Sequence, residues 1–295
     1  MSQPVASSKS ETATLPPPFH TIPNVPNFRD IGGWRICPPQ STGSFLVRKS
    51  LVFRGADPTR IAPSGIAKLL DLGIAKDYDL RSPTQIARLG GEKGMHGIER
   101  VSVPLFEGED GEDEEVATKR RYELYAAEGT DGIVEAFIAI LLSSAAAFRA
   151  ILLPFLNQPT PPARHAAIFL HCTTGNNRTG ALIAIFLALL HVPYRIIAEE
   201  YALSDPGMAQ TRHINVNRLL AKGAFAGFDE AERRRKCERM LTARKESVVA
   251  LLKEVERRWG GAEGFFREVV EFSETEIEGI RKCFTMQEMA DYELR

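Results

Sequence analysis

Metal-binding and disulfide patterns are missing from this sequence. Its 295 residues include four cysteines, which lie far apart and form no CxxC pair. Such spacing gives neither a disulfide framework nor a thiolate metal site, and it suits a reducing compartment. The six histidines do not cluster, and no HExxH motif is present. We therefore predict a protein that needs no metal and no other cofactor.

A strong charge of either sign is also missing. The chain has 37 lysine and arginine residues against 38 aspartate and glutamate residues, which gives a net charge of −1. This charge provides no overall field for nucleic acid, so we expect no such partner. The N-terminus lacks the basic start and the apolar run of a signal peptide. We therefore expect a cytoplasmic protein.

Long apolar runs without a charge are lacking as well. The most lipid-like stretch, residues 133–156, contains Arg149 in its interior and Pro154 near its end. An arginine deep in a membrane-spanning helix is costly, so buried core helices explain this stretch better. We expect no stable insertion into a membrane. The hydrophobic content of 44% and the charged content of 25% are those of a globular protein.

Strand and helix patterns alternate along most of the chain. Residues 1–18 are polar and end in three prolines, which predicts a disordered tail, and residues 19–295 are predicted to form one domain. Strands interleaved with helices predict an α/β fold. The strands are expected at residues 50–54, 73–80, 97–105 and 166–170, with helices at 64–72, up to 156, at 179–190 and in the C-terminal third.

Residues 171–180 read HCTTGNNRTG and lie between a predicted buried strand and a predicted buried helix. A loop that leads into a helix N-terminus points several backbone N–H groups towards one place, where the helix dipole adds positive potential. Phosphate fits such a place. We therefore predict a phosphate-binding loop whose contacts come from the residues between its first cysteine and its arginine, namely Thr173, Thr174, Gly175, Asn176 and Asn177.

Cys172, at the start of this loop, is the candidate nucleophile. The positive potential favours its thiolate, which is the reactive form of cysteine. Arg178, six residues later, can hold two phosphate oxygens with its planar guanidinium, and the Thr179 hydroxyl can hydrogen-bond the thiolate. A buried structural cysteine is the competing interpretation, but glycine, asparagine and threonine surround Cys172 instead of apolar residues. The pattern favours nucleophilic catalysis on a phosphorylated substrate.

The loop resembles the signature of the protein-tyrosine-phosphatase superfamily. Further stretches follow the order of one branch, an atypical tyrosine-phosphatase family of bacterial tyrosine, dual-specificity and phosphoinositide phosphatases with many fungal members. This resemblance implies one α/β domain with a mixed central sheet flanked by helices, and hydrolysis through a phosphocysteine without a metal. The stretches are residues 27–33 (NFRDIGG), 51–56 (LVFRGA), 79–82 (DLRS), 200–204 (EYALS) and 260–265 (GGAEGF).

The resemblance also implies supporting roles around the loop. Asp79 and Arg81, from DLRS, are expected to brace it together with His171. Arg29 and Asp30, from NFRDIGG, are expected to have structural roles and not to contact the substrate.

The loop departs from the family at two positions, where Asn176 and Asn177 replace a usual Lys-Asp pair. Loss of the lysine lowers the expectation of phosphoinositide hydrolysis. The aspartate is the family's candidate general acid, and an asparagine cannot donate that proton. Proton donation is typically worth about 10²–10⁴ in rate. The replacement acid is expected in an acidic stretch that otherwise reads as a solvated loop, at Glu107, Glu109, Asp110 or Asp113, with Asp79 as the second choice.

Three functions remain open from the sequence. The leading hypothesis is a protein-tyrosine or dual-specificity phosphatase. The first alternative is a small-molecule phosphatase for a metabolite or a prenyl or lipid phosphate in a biosynthetic pathway, with residues 118–146 as a lid over the substrate. The second alternative, which Asn177 keeps open, is a pseudophosphatase that binds phosphate without turnover.

Overall fold

The computed structural model describes residues 15–39, 43–106, 114–159, 162 and 166–288. The candidate acids Glu107, Glu109, Asp110 and Asp113 lie outside the described residues. So does most of the predicted tail, so the expected division at residue 18 stays a prediction.

The described residues contain eight strands and thirteen helices. The strands are β1 (Arg29–Asp30), β2 (Arg35–Ile36), β3 (Phe45–Val47), β4 (Val52–Gly55), β5 (Ile74–Asp79), β6 (Glu99–Ser102), β7 (Ala167–His171) and β8 (Thr285–Gln287). The helices are α1 (Pro63–Asp71), α2 (Pro83–Arg88), α3 (Glu114–Ala126), α4 (Asp131–Leu142), α5 (Ala145–Leu156), α6 (Asn177–Leu189), α7 (Tyr194–Ala202), α8 (Ser204–Met208), α9 (Arg212–Ala221), α10 (Glu230–Leu241), α11 (Lys245–Trp259), α12 (Ala262–Glu268) and α13 (Glu274–Phe284).

A five-stranded mixed sheet lies at the centre, in the order β1-β4-β7-β5-β6. β4, β7, β5 and β6 are parallel, and β1 pairs antiparallel with β4 at the edge. Gly55 and Asp79, which end β4 and β5, both pair with His171, which ends β7. Ligand sites in parallel sheets form at this carboxyl edge, so the residue after His171 stands at the expected place. The predicted fold, a mixed sheet in one α/β domain, is confirmed.

Apolar side chains cover both faces of the sheet. On β7, Ala167 and Phe169 join a small core that contains Leu69 of α1. Ile168 and Leu170 point to the opposite face and join the large core of the helical layer. A strand buried on both faces needs a continuous apolar run, and the sequence AIFL meets that need.

A second sheet, β2-β3-β8, joins the beginning and the end of the described chain in an antiparallel arrangement. Its strands are only two or three residues long, too short for a periodic pattern. The sequence did not predict this sheet for that reason.

Several element boundaries differ from prediction. The strand expected at residues 97–105 is only Glu99–Ser102, and the helix expected from Ser64 begins at Pro63. Proline suits the first position of a helix, because its missing N–H would have no intrahelical partner there. Ser273 and Glu276, three residues apart, fit the sequence pattern of a capping box, and the structure confirms it at the start of α13.

Two adjacent glycines, as in NFRDIGG, suit a turn at positive φ, but only Gly33 has it, at 90°. Gly32 is needed for space, since a Cβ there would lie 2.5 Å from the carbonyl oxygen of Arg48.

No single helix in the described part of the chain is long and apolar enough to cross a membrane. α4 and α5 pass that test only as a pair, with a bend of 57° between them. Within α4 the side chains of Ile133, Phe137 and Ile140 are fully buried in the large core.

Candidate active site

The loop from Cys172 to Arg178 joins the end of β7 to the first turn of α6. It makes a tight turn at Gly175, where φ is 67°. A Cβ at this glycine would lie 2.1 Å from the carbonyl oxygen of Gly55, so any side chain would push the loop away from the sheet. The sulfur of Cys172 therefore sits at the floor of a compact loop, and this residue is only 3% exposed.

The carbonyl groups of the loop all point away from its centre, because each has a partner outside it. Asn27 and Arg54, which lie in the family-like stretches NFRDIGG and LVFRGA, hold two of them. The five contacts are His171 Nδ1 with Cys172 O (3.2 Å), Asp57 N with Thr173 O (3.3 Å), Asn27 Nδ2 with Thr174 O (3.1 Å), Arg54 Nη2 with Gly175 O (2.6 Å) and Gly180 N with Asn176 O (2.7 Å).

The opposite edges of the same peptide groups face inwards. Among the described residues, the N–H groups of residues 173–178 donate to no oxygen atom. Several unpaired N–H groups next to a helix N-terminus form a strong site for an anion. The loop is therefore built to bind an oxyanion above the Cys172 sulfur.

A buried ion triad braces this arrangement from below. Glu200 accepts hydrogen bonds from Arg29 Nε at 2.8 Å and from Arg54 Nη1 at 2.7 Å. All three side chains are almost completely excluded from solvent. The charges of Arg29 and Arg54 outweigh burial and lower the pKa of the Glu200 carboxyl. This triad shows why the separate stretches NFRD, LVFRG and EYALS occur in one chain, and it agrees with the structural role expected for Arg29.

A second buried network holds His171. Its Nε2 lies 2.8 Å from Asp77 Oδ1, and its Nδ1 lies 3.8 Å from Asp79. Burial alone would lower the pKa of His171, but the charges of Asp77 and Asp79 outweigh it and raise that pKa. A charged imidazole can donate to Asp77 and to the Cys172 carbonyl together, which fixes the start of the loop.

Asp79 forms an ion pair with Arg81, whose Nη2 donates a hydrogen bond to Asp79 Oδ2 at 2.7 Å. Burial would raise the pKa of Asp79, but His171 and Arg81 outweigh it and lower the pKa. Asp79 does not line the cavity above Cys172. A fully buried, ion-paired carboxylate cannot deliver a proton to a substrate, so the second choice of general acid is set aside. Bracing, the other role expected of Asp79 and Arg81, matches their contacts.

The thiol of Cys172 is activated by its surroundings. Burial opposes ionisation, but the charge of Arg178, the hydroxyl and N–H of Thr179 and the N–H of Gly175 outweigh it and lower the pKa. The Thr179 hydroxyl has no oxygen or nitrogen partner among the described residues, which leaves it to the sulfur. These contacts favour the Cys172 thiolate, which is the reactive form of cysteine.

Arg178 is held in place over the loop from two sides. Its Nη1 donates to Gln85 Oε1 at 2.7 Å and to the Leu80 carbonyl at 3.2 Å. Its Nη2 lies 3.4 Å from Thr173 Oγ1 within the loop. A guanidinium fixed in this way can bind oxyanion oxygens without losing further side-chain entropy.

The predicted loop ligands separate into two groups. Thr173, Thr174 and Asn177 line the cavity with Cys172 and Arg178. Gly175 and Asn176 do not line it. Gly175 has no side chain, and its N–H bonds the Cys172 sulfur. The Asn176 side chain is fully buried, and its Nδ2 donates to the Leu241 carbonyl. The prediction of Asn176 as a phosphate ligand is therefore restricted to its backbone N–H. The asparagine fills a structural position between α6 and α10.

The cavity above Cys172 measures about 180 Å³ and combines aromatic and cationic walls. Tyr122, Tyr125 and Phe106 supply the aromatic surface. Burial raises the pKa of Tyr122 and raises that of Tyr125 to about 12, so both hydroxyls remain neutral. No carboxylate of the described residues lines this cavity, while four cations other than Arg178 do: Arg88, Arg121, Arg218 and Lys222.

The lid expected at residues 118–146 is divided between two roles. α3 lines the cavity through Thr118, Arg121, Tyr122 and Tyr125. α4 belongs to the large core, so it does not act as a lid. Phe106 also lines the cavity and directly precedes the segment that contains the predicted general acids.

Sequence reasoning missed Gln85, Asp57 and Asp77. Gln85 follows Ser82 by three residues, and its N–H donates to Ser82 Oγ at the start of α2. Its contact with Arg178 joins two residues that are 93 positions apart, so local spacing gives no clue to it. Asp77 leaves no clear signal, because β5 (IAKDYD) contains three charged residues and its sequence does not show which of them is buried.

A model of the tyrosine phosphatase family matches residues 20–286 of the chain. The triple specificity protein phosphatase PtpB of Mycobacterium tuberculosis is 27% identical over 209 residues, which cover 65% of this chain and 71% of PtpB. A protein of Cupriavidus necator that carries the name of a tyrosine-protein phosphatase is 23% identical over 262 residues, which cover 88% of this chain and 86% of that protein.

Proposed function

The chain belongs to the tyrosine phosphatase family and is a cysteine-dependent phosphatase, and from this premise we propose that it hydrolyses aryl phosphate monoesters, phosphotyrosine in proteins above all, through a phosphocysteine. One observation carries the proposal. The loop turns all its carbonyls outwards and its N–H groups inwards over a cysteine of lowered pKa.

The first step transfers the phosphoryl group to the enzyme. The Cys172 thiolate attacks phosphorus, a P–S bond forms, and the ester P–O bond breaks with its electron pair on the leaving oxygen. The inward N–H groups and Arg178 stabilise the charge on the three equatorial oxygens, since they are fixed before the reaction begins. The products of this step are a phosphocysteine and the phenolate of the substrate.

The second step restores the enzyme. Water attacks the phosphorus atom, the P–S bond breaks, and the electron pair returns to the Cys172 sulfur. The protons of that water go to the phosphate and to solvent, so the net reaction converts an ester and one water into an alcohol and inorganic phosphate. The hydrogen bond from Thr179 to the sulfur eases departure of the thiolate.

The leaving group decides the substrate class. A phenol has a pKa of about 10, so a phenolate leaves more readily than an alkoxide when no acid donates a proton. Asn177 stands in the cavity where a carboxylic acid would serve, and the tyrosines there have raised pKa values. Aryl esters therefore suit this cavity better than alkyl esters, which supports phosphotyrosine over phosphoserine.

The test uses p-nitrophenyl phosphate and a phosphotyrosine peptide, both in the presence of a metal chelator. We expect turnover of both by the wild type and none by Cys172→Ser. Thr242→Ser, a matched exchange near the end of α10, serves as the control variant and retains activity. Turnover by Cys172→Ser contradicts the proposed chemistry. Turnover of sugar or prenyl phosphates without turnover of the peptide favours the small-molecule alternative.

A further inference from the structure

Three cations at the mouth of the cavity have no part in the reaction above: Arg88, Arg218 and Lys222. They line the same cavity as Cys172. Within the described residues none of the three forms an ion pair, in contrast to Arg195, which pairs with Glu199. A fourth cation, Arg121, lies over the Phe106 ring and donates a hydrogen bond to Thr118 Oγ1.

Helix geometry places these three charges on one side of the cavity mouth. Arg88 ends α2, one turn after Gln85, and residues three apart lie on the same helix face. Because Gln85 hydrogen-bonds Arg178, Arg88 lies about one helical turn further along α2 from Arg178. Arg218 and Lys222 are four residues apart at the end of α9, so they also share a face.

The end of α9 is fixed by other side chains, so its cations are held in position. Arg233 of α10 donates from Nη2 to the Leu220 carbonyl at 3.0 Å and from Nε to the Ala224 carbonyl at 3.2 Å. These bonds tie the C-terminal end of α9 and the turn that follows it to α10.

The three charges are close enough to repel one another. Burial, followed by the charges of Arg218 and Arg88, lowers the pKa of Lys222. The chain as a whole has a net charge of −1, so this local excess of positive charge does not reflect a basic protein. Like charges disfavour the folded state where no counter-ion lies among the described residues, and an anionic ligand would relieve that cost.

We propose that Arg88, Arg218 and Lys222 form a second anion site, which binds a further phosphate carried near the phosphotyrosine on the same peptide substrate. This inference rests on the proposed function, since it assigns the substrate class of the same cavity. Phosphate fits better than a carboxylate, because two guanidinium groups and an ammonium group match a dianion with three acceptor oxygens.

The spacing between Arg178 and the second anion site, estimated from helix geometry, fits an extended peptide. Three residues of α2 advance about 4.5 Å along the helix axis, and the arginine side chain adds further reach. An extended peptide advances about 3.3–3.6 Å per residue, so a phosphorylated residue one or two positions from the phosphotyrosine arrives at the second anion site. Tyr122, Tyr125 and Phe106 meanwhile enclose the aryl ring of the phosphotyrosine.

The experiment compares three phosphotyrosine peptides that differ two positions away, where they carry a neutral residue, a glutamate or a non-hydrolysable phosphonate analogue of phosphoserine. For the wild type in low salt we expect kcat/KM to rise about 10- to 100-fold from the neutral to the phosphonate peptide, mainly through KM, with glutamate between them. Added salt should reduce this preference, because it screens the contributing charges.

The decisive variant combines Arg88→Gln, Arg218→Gln and Lys222→Gln. The preference is the ratio of kcat/KM for the phosphonate peptide to kcat/KM for the neutral peptide. In this variant we expect that ratio to fall to about 1. The control combines Arg195→Gln, Arg257→Gln and Lys282→Gln, which change the net charge equally at exposed positions away from the cavity. The control should keep the wild-type ratio, which separates a binding site from general electrostatic attraction.

Three results would overturn the second anion site: equal rates for the neutral and phosphonate peptides, a preference that survives in the decisive variant, or glutamate equal to phosphonate. Faster turnover of a soluble inositol bisphosphate than of every peptide would overturn the peptide assignment. Calorimetric binding of the peptides to Cys172→Ser tests the site without turnover. If the wild type does not hydrolyse p-nitrophenyl phosphate, that result contradicts the proposed function and not the second anion site.

Discussion

Arg178 donates a hydrogen bond from Nη1 to Oε1 of Gln85 over 2.7 Å. The two residues are 93 positions apart in the chain. The bond joins α2 to the phosphate-binding loop and fixes the plane of the Arg178 guanidinium. The orientation of Arg178 therefore depends on a residue that need not touch the substrate.

The first prediction follows from this bond. Gln85→Ala should lower kcat/KM for p-nitrophenyl phosphate about 10- to 100-fold, since a hydrogen bond to a charged group contributes about 1.5–3 kcal/mol. Thermal unfolding should change little, because Gln85 is only half-buried. Thr84→Ala, one residue earlier on the same helix, is the control for a general disturbance of α2. A Gln85→Ala enzyme as active as the wild type would remove this residue from the site.

The central part of the site was predictable from the sequence because it is local. Cys172, Thr179 and Arg178 lie within eight residues, and a strand, a tight loop and a helix bring them together. The capping box of α13 and the apolar strand β7 are local in the same sense. Their patterns therefore predicted them directly.

The parts that long-range packing creates were not predictable in this way. Glu200 reaches Arg29 across 171 residues, and Asn176 reaches Leu241 across 65. The second pairing gives the Asn176 side chain a structural position, which the sequence did not indicate. Neither pairing leaves a signal in spacing or periodicity, because the partners meet only after the helical layer has packed on the sheet.

The second prediction concerns the buried triad. Glu200→Gln leaves two fully buried arginines without their carboxylate, and loss of one partner in a buried ion network costs about 3–5 kcal/mol. The free energy of unfolding in urea should fall by this amount. Glu199→Gln removes the neighbouring carboxylate from an exposed pair with Arg195 and should change stability by less than about 0.5 kcal/mol. Equal effects of the two variants would contradict the importance of burial.

The third prediction concerns Gly175, whose positive φ and close contact with Gly55 both exclude a side chain. Gly175→Ala should abolish most activity, since its Cβ forces the loop off the sheet. Gly129→Ala is the matched control: Gly129 has a φ of 66°, and no atom lies within 4 Å of its added Cβ. This control should lose about 1 kcal/mol of stability and keep its activity. An active Gly175→Ala enzyme would show that the loop tolerates displacement.

The fourth prediction is a pH dependence of stability from His171. Its pKa in the folded protein is raised above the ordinary value of 6.5. The stabilisation is therefore fully present below about pH 6.5 and is lost as the pH rises through the folded-state pKa. We expect the free energy of unfolding of a Cys172→Ser background, which lacks the titrating thiol, to fall over that range.

The same measurement on further variants assigns the effect. His171→Gln should remove the pH-dependent part of the curve, whereas His213→Gln, at an exposed position of α9, should retain it. If His171→Gln does not fold, the chemical shift of the His171 ring in the wild type gives its pKa directly. A folded-state pKa at or below 6.5 would contradict the charged imidazole.

The fifth prediction concerns the general acid, a role that Asn177 cannot fill. Asn177 lines the cavity, its Oδ1 lies 3.4 Å from the Tyr201 hydroxyl, and its Nδ2 lies 3.4 Å from the Met240 carbonyl. Asn177→Asp keeps the size of the side chain and places a carboxyl group beside the leaving oxygen. If no other acid serves, turnover of alkyl phosphates should rise by up to about 10²–10⁴, and p-nitrophenyl phosphate should gain much less. The pH profile should then acquire a falling limb, because the new acid must be protonated. No gain on alkyl phosphates would point to an acid already present, and Asp110→Asn or Glu109→Gln should then slow the wild type on those same esters.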